Sequence, residues 1–214
     1  MRGLFIVFDG IDGCGKSTQL DRSAELLKRD GYSVITTREP GGTVISEKIR
    51  SIILSPDNRE MTCECELLLY AAARAQHVRE KIAPALKQGV MVLCDRFDCA
   101  TFAYQGFGRN IPFSLLEAIN TIAAGGVQPD LTFIFDITVD AAFKRLNAME
   151  KLPDRLESGS REFFSRVAEG YRTLAHRNPE KIVLLNGELP VEKLGDKVFK
   201  KIIEAIKLKL QQMI

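Results

Sequence analysis

The sequence predicts a three-layer α/β fold, a five-stranded parallel sheet flanked by helices. Three observations lead to it. Five short apolar runs are spread along the chain, helical patterns lie between them, and most of the runs are continuously hydrophobic. Continuous rather than alternating hydrophobicity belongs to strands covered on both faces. Strand–helix alternation implies right-handed crossovers and a doubly wound sheet. Ligands of such sheets sit beyond the carboxyl ends of the strands. A chain of 214 residues suits one domain, 1–214, with a small lid.

The elements follow in order. Leu4–Asp9 is the first strand, and a glycine-rich turn follows it. Lys16–Arg29 is a helix that ends on basic residues and stops at Gly31. Ser33–Thr37 is the second strand. A short helix carrying Arg50 leads to a long one, Glu64–Lys87, stopped by Gly89. Val90–Asp95 is the third strand. Phe113–Ala124 is a helix closed by Gly125 and Gly126. Leu131–Asp136 and Lys181–Leu185 complete the sheet, with helices over Arg161–His176 and Val191–Met213. The last helix places Leu194, Val198, Ile202, Ile206 and Leu210 at four-residue intervals, an amphipathic stripe. Between two helices, Asn147–Ser160 is polar and carries Pro153 and Gly159. It is expected to be a mobile lid.

Composition narrows the function classes. Apolar residues make up 45%, enough for a sizeable core, and charged residues 27%. The formal net charge of +2, with both signs dispersed, calls for neither a nucleic acid nor a membrane as partner. The first apolar run is too short for a secretion signal, and no stretch is long enough to span a bilayer. The chain is expected in the cytoplasm. Five cysteines, an odd count, argue against a disulfide framework, and Cys63-x-Cys65 lacks the second ligand pair of a zinc site. Cys94 is expected in the core.

The turn after the first strand reads Gly10-Ile11-Asp12-Gly13-Cys14-Gly15-Lys16-Ser17. It fits G-x-x-x-x-G-K-[ST] at every fixed position, with a strand before it and a helix after. Glycines let backbone N–H groups wrap a phosphate, and the helix points its positive end at the anion. Lys16 can reach the β- and γ-phosphates, and Ser17 can offer its hydroxyl to Mg²⁺. These eight residues with Thr18 form the expected ATP site, and the fold is that of the P-loop NTPases. Neither Asp-x-x-Gly nor a guanine-reading Asn-Lys-x-Asp follows. The third strand ends instead in Asp95-Arg96. An acid there can hold Mg²⁺ through water, and the arginine welcomes a second phosphate, which points to a kinase with an anionic acceptor.

Residues after the other strands would ring one cleft: Asp9, Thr37 to Gly42, Arg50, Tyr70 with Arg74, and Thr101 with Gln105. Tyr70 and Arg74, like Thr101 and Gln105, are four apart and share a helix face. An aromatic, an amide and several arginines suit a base plus a phosphate. Taken singly, Arg50 also reads as a solvated helix residue and Tyr70 as a core aromatic.

Those pieces resemble thymidylate kinase of the bacterial type. They are Phe8-Asp9-Gly10 with the P-loop, Thr37 to Thr43, Glu47 to Arg50, Tyr70 to Arg74, Asp95-Arg96-Phe97 with Ala103-Tyr104-Gln105-Gly106, Pro129 to Thr132, and Asp154 to Glu157. The resemblance implies ATP as donor with Mg²⁺, dTMP as acceptor and a homodimer. By residue it implies that Lys16 and the P-loop hold the ATP phosphates. Ser17 and Asp95 serve the metal, and Asp9 positions the acceptor end. Arg38, Arg50 and Arg96 serve the acceptor phosphate. Tyr70 stacks on the base, while Arg74 and Gln105 read its edge. Glu39 and Pro40 line the sugar and methyl side, and Thr101 and Tyr104 complete the acceptor site. The P-loop's variable positions hold no arginine, so the catalytic cation is expected from the lid, at Arg155, with Arg145 and Arg161 as alternatives. Arg155 also reads as a partner of Glu157. Ala100 stands where the family usually has serine. Another nucleotide kinase remains an alternative, as does a nucleotide-driven switch.

Overall fold

The structure, a computed structural model, describes residues 2–148, 155–156 and 160–211. Five parallel strands form the sheet: β1 (Phe5–Asp9), β2 (Val34–Arg38), β3 (Met91–Asp95), β4 (Leu131–Asp136) and β5 (Ile182–Asn186). Their spatial order is β2-β3-β1-β4-β5. Each lies within a few residues of the run that predicts it. The register pairs Phe8 with Asp95 and Asp9 with Ile134, so the β1 and β3 ends meet. The chain leaves β1 toward one edge, fills β3 in between, and then crosses to the other side. The phosphate loop therefore sits where ligands of such sheets bind.

The continuous hydrophobicity of the strands has a direct cause. In β1, Phe5 and Val7 enter one core with Val92, Cys94 and Phe97, while Ile6 and Phe8 enter the other with Met91 and Leu93. Side chains alternate across a strand, so two buried faces require apolar residues at every position. Cys94 is core, as its surroundings in the sequence predict, and all five cysteines are free.

Helices cover both faces: α1 (Lys16–Arg29), α2 (Val44–Leu54), α3 (Cys63–His77), α4 (Ala83–Lys87), α5 (Asp98–Thr101), α6 (Phe113–Ala124), α7 (Val139–Asn147), α8 (Arg161–Arg177) and α9 (Val191–Gln211). Thr43, Thr62, Thr138 and Ser160 cap α2, α3, α7 and α8 by accepting from a first-turn N–H. The predicted helix over Glu64–Lys87 is α3 and α4 joined through a wide π turn, Val78–Ile82. Pro84 follows within that rod. It has no N–H to give, and widening the turn before it accommodates the loss. A second π turn, Phe102–Gly108, extends α5. Of the α9 stripe, Leu194, Val198, Ile202 and Ile206 are buried, and Leu210 is exposed. The expected lid, Asn147–Ser160, is described only at 147–148, 155–156 and 160. Its remainder, 149–154 and 157–159, lies outside the described residues.

Candidate active site

The phosphate loop joins β1 to α1 through Gly15 in a left-handed conformation, φ 92°. A Cβ at Gly15 would meet nothing within 4 Å, so glycine is required here by backbone conformation rather than by space. No side chain caps α1 and its first turn carries no acid. The positive helix end is thus left for an external anion. Ile11 and Cys14 are buried and seat the loop on the core. Ser17 and Thr18 face solvent. The Ser17 hydroxyl donates to Asp95 Oδ2 at 2.5 Å.

A dense charged network lies beneath the loop. Lys16 Nζ donates to Asp12 Oδ1 at 3.2 Å. Arg96 donates to the same oxygen at 2.6 Å, to the Gly10 carbonyl at 3.0 Å and to Asp9 Oδ1 at 3.4 Å. Two tyrosines complete it. The Tyr171 hydroxyl donates to Asp9 at 2.5 Å, and the Tyr104 hydroxyl to Asp12 at 3.1 Å. Arg96 donates to both hydroxyls and stacks over the Tyr104 ring at 4.9 Å. Arg96 has φ 71°, a conformation that costs a non-glycine residue on the order of 1–3 kcal/mol and is typically held for function.

The titration of these groups follows from the geometry. Burial pushes the Asp9 carboxyl up to about 6, against the pull of Arg96, Tyr171 and the Gly10 N–H. Burial acts the same way on Asp12, but Arg96 and Lys16 outweigh it and hold Asp12 well below the usual carboxylate range. Burial and Arg96 both disfavour the Lys16 ammonium, yet Asp12 keeps its pKa above the ordinary lysine value. Two neighbouring carboxyls are thereby driven apart in acidity, a pattern typical of working sites.

A cleft of about 550 Å³, counting its open mouth, runs away from the loop. Asp12, Arg96 and Tyr104 form its loop end, Glu39, Pro40, Arg50 and Leu54 one side, and Tyr70, Arg74, Phe97, Ala100, Thr101, Gln105 and Leu156 the rest. Arg50 donates to the Pro40 carbonyl at 2.7 Å. Arg74 is 2% exposed and forms the floor. It donates to Glu39 at 2.7 Å, Thr101 at 2.9 Å, Asn120 at 2.5 Å and the Phe97 carbonyl at 2.9 Å. Fully buried His77 bridges Glu39 and Thr37 behind it. On the far wall, the Gln105 amide, Arg109 and Arg155 converge on the buried Glu66 carboxylate.

Nine residues predicted for the acceptor thus line one cleft: Glu39, Pro40, Arg50, Tyr70, Arg74, Arg96, Thr101, Tyr104 and Gln105. The other two acceptor residues, Asp9 and Arg38, and the expected catalytic cation Arg155 lie elsewhere. Asp9 is below the cleft, inside the charged network. Arg38 turns away, pairs with Glu47 at 2.9 Å and borders a separate open depression with Ser17 and Asp95. Its strand position is the cause, since it is the last residue of β2, one residue before the turn to Glu39. Arg155 is not over the phosphate loop in this structure. It donates to the Ile53 carbonyl at 2.8 Å and to Glu66 at 2.6 Å. Of the alternatives, Arg145 reaches the loop itself, donating to the Gly13 and Gly187 carbonyls at 3.1 Å each, whereas Arg161 pairs with Asp140.

Sequence reasoning missed Tyr171, Glu66, His77 and Asn120. Glu66 and His77 had a legible signal. They stand four and eight residues before and three after the residues singled out on α3, so they share that helix face. Tyr171 had none, because only the packing of α8 against the sheet brings it to Asp9. For metal, the Asp95 carboxylate and Ser17 hydroxyl are hard oxygen donors in mutual contact, which suits Mg²⁺. Among the described residues there is no cluster of three or more His, Cys, Asp or Glu able to hold an ion alone.

A parallel sheet with this loop at its switch point, and a polar cleft opening from the loop, define a P-loop phosphotransferase of the nucleotide kinase class. The family model for thymidylate kinase matches residues 8–198. A thymidylate kinase of Exiguobacterium sp. is 45% identical over 206 residues, 96% of this chain and 97% of its own. Another, from Geobacter sulfurreducens, is 48% identical over 195 residues, 89% of this chain and 92% of its own. The crystal structure of thymidylate kinase from Ehrlichia chaffeensis superposes with a TM-score of 0.78 at 32% identity, covering 94% of this chain and all of that one. The chain belongs to the thymidylate kinase family.

Proposed function

We propose that this chain transfers the γ-phosphoryl group of ATP to dTMP, giving ADP and dTDP for dTTP synthesis. The observation that carries the reading is the cleft. It begins at the phosphate loop with Asp12 and Arg96 and ends among an aromatic, an arginine and an amide, so a nucleoside monophosphate fits phosphate-first. A dTMP phosphate oxygen forms the new bond to the γ-phosphorus as the β,γ-bridging oxygen leaves with ADP. The chain's work is positioning and charge compensation. Lys16 and the α1 N-terminus hold the donor phosphates, and Arg96 and Arg50 hold the acceptor phosphate. Ionised Asp9 keeps Arg96 aimed between the two. Tyr70 stacks on thymine, while Arg74, Thr101 and Gln105 address its edge. Glu39 and Pro40 border the sugar, and Asp12 and Tyr104 fix the acceptor end nearest the loop. Arg155 reaches the reacting phosphates on release from Glu66.

Ser17 and Asp95 would hold Mg²⁺, Asp95 through water. The ion supplies charge neutralisation on the donor phosphates. ATP and dTMP are water-soluble, and we place the reaction in the cytoplasm. No helix among the described residues is long and apolar enough to cross a membrane. We also propose a homodimer. Helices α2, α3 and α6 pack side by side and leave Val44, Ile52, Leu68 and Ile122 exposed. Light scattering coupled to gel filtration tests this, and a monomer at micromolar concentration refutes it. The activity is tested by ADP release across the nucleoside monophosphates. Turnover with dTMP well above all others is expected, and its absence refutes the reading.

A further inference from the structure

Glu66 on α3 is 1% exposed, and the reaction as described above uses it only as the resting partner of Arg155. Its Oε1 accepts from Gln105 Nε2 at 2.9 Å and from Arg109 Nε at 3.3 Å. Its Oε2 accepts from Arg109 at 3.1 Å and from Arg155 at 2.6 Å. Burial alone would protonate it, but the bonds from Arg109, Gln105 and Arg155 hold its pKa below the ordinary glutamate value. It is therefore a carboxylate, and a carboxylate only accepts hydrogen bonds.

That fact fixes something the shape of an amide does not. The oxygen and nitrogen ends of Gln105 are nearly the same size, and either could face the cleft. Opposite an acceptor-only neighbour, only the NH₂ end can turn toward Glu66. The carbonyl end is left for the cleft that Gln105 lines. Thymine and uracil carry a donor at N3, whereas cytosine carries an acceptor there. A carbonyl matches the first and repels the second.

We propose that Glu66 is a positioning residue that locks the sense of the Gln105 amide, and so selects monophosphates whose base has an N–H donor at N3. Arg109, bonded to both of its oxygens, serves it by keeping it ionised even when Arg155 leaves. The inference rests on the thymidylate reading. It departs from a simpler role, in which Glu66 only neutralises two buried arginines.

Two measurements decide it. The first compares kcat/KM for dTMP and dCMP in wild type and Glu66→Gln. Glutamine keeps the shape but can both donate and accept, so Gln105 is free to turn over. The dTMP:dCMP ratio is expected to fall about tenfold or more, since a buried polar group is then no longer forced into mismatch with cytosine. An equal loss on both substrates, with the ratio intact, overturns the proposal in favour of the neutralising role. The second uses ¹⁵N-labelled wild type, so it stands even where Glu66→Gln fails to fold. The Gln105 side-chain amide, assigned by its absence in Gln105→Met, should keep its Glu66-bonded proton shifts and slow exchange when dTMP saturates the site. Transfer of those protons to the ligand, seen as cross-peaks to the base, overturns it. Failure of the wild type to phosphorylate dTMP would be the failure of the thymidylate reading. A selective wild type with an equally selective Glu66→Gln would be the failure of this inference alone.

Discussion

Tyr171→Phe isolates one hydrogen bond in the charged network. The hydroxyl donates to Asp9 at 2.5 Å, and Asp9 is fully buried with a pKa of about 6. Burial favours the protonated carboxyl, and the tyrosine bond favours the carboxylate. Removing that bond must raise the pKa further. A hydrogen bond to a charged group contributes about 1.5–3 kcal/mol, and each pKa unit is about 1.4 kcal/mol, so the rise should be about 1–2 units. Only ionised Asp9 pairs with Arg96, so activity is lost on the acid side as Asp9 protonates. In wild type Asp9 is about nine-tenths ionised at pH 7, and in the variant about a tenth to a half. The assay is kcat/KM for dTMP from pH 5 to 9. The acid limb should move up by about 1–2 units, with near wild-type values regained at pH 9. The titration of dTMP itself is common to both proteins and cancels in the comparison. An unmoved acid limb, or a uniform loss at every pH, refutes the assignment.

Lys16→Met should abolish turnover with the fold intact by circular dichroism, since the lysine offsets phosphate charge worth on the order of several kcal/mol in the transition state. Arg155→Ala should lower kcat by about a hundredfold with little change in the dTMP KM, because Arg109 still holds Glu66. A rise in KM alone would assign Arg155 to the Glu66 anchor only. Gly42→Ala should lower the melting temperature, as its Cβ would fall 2.5 Å from the buried His77 ring and its φ of 86° costs another residue about 1–3 kcal/mol. Unchanged thermal unfolding would refute that packing argument.

The sheet was legible because burial on both faces leaves its mark on every residue of β1 and β3. The phosphate loop was legible because its chemistry is contiguous in sequence. The acceptor cleft was legible in part, since Tyr70 with Arg74 and Thr101 with Gln105 carry helical spacing. Arg38 and Glu39 part company because a strand alternates its faces: Glu39 lines the cleft, and Arg38, one position earlier, borders the neighbouring depression. The π turns were not legible, and the second of them carries Tyr104 and Gln105 into the site. Asp12 is expected from the sequence in the ATP site, as part of the phosphate loop, and not as a partner of Arg96. Its bond to Arg96 joins residues 84 apart, which no local pattern announces. The residues flanking Arg155 that could orient it, Asp154 and Glu157, lie outside the described residues.

Helix α3 places Glu66, Tyr70, Arg74 and His77 on a single face, from the far wall of the cleft to the bridge behind Glu39. Eleven steps from Glu66 to His77, at a rise of about 1.5 Å each, make this face a ruler of roughly 16 Å. A ruler of that kind has a strict grammar for change. Substitutions alter one mark at a time and can be compensated. Inserting or deleting a single residue between Glu66 and His77 turns everything beyond it by about 100° and withdraws several contacts in one step. Length variation in this chain should therefore be tolerated in the loops at either end of α3 and excluded from the helix, and libraries that vary acceptor choice should hold its length fixed.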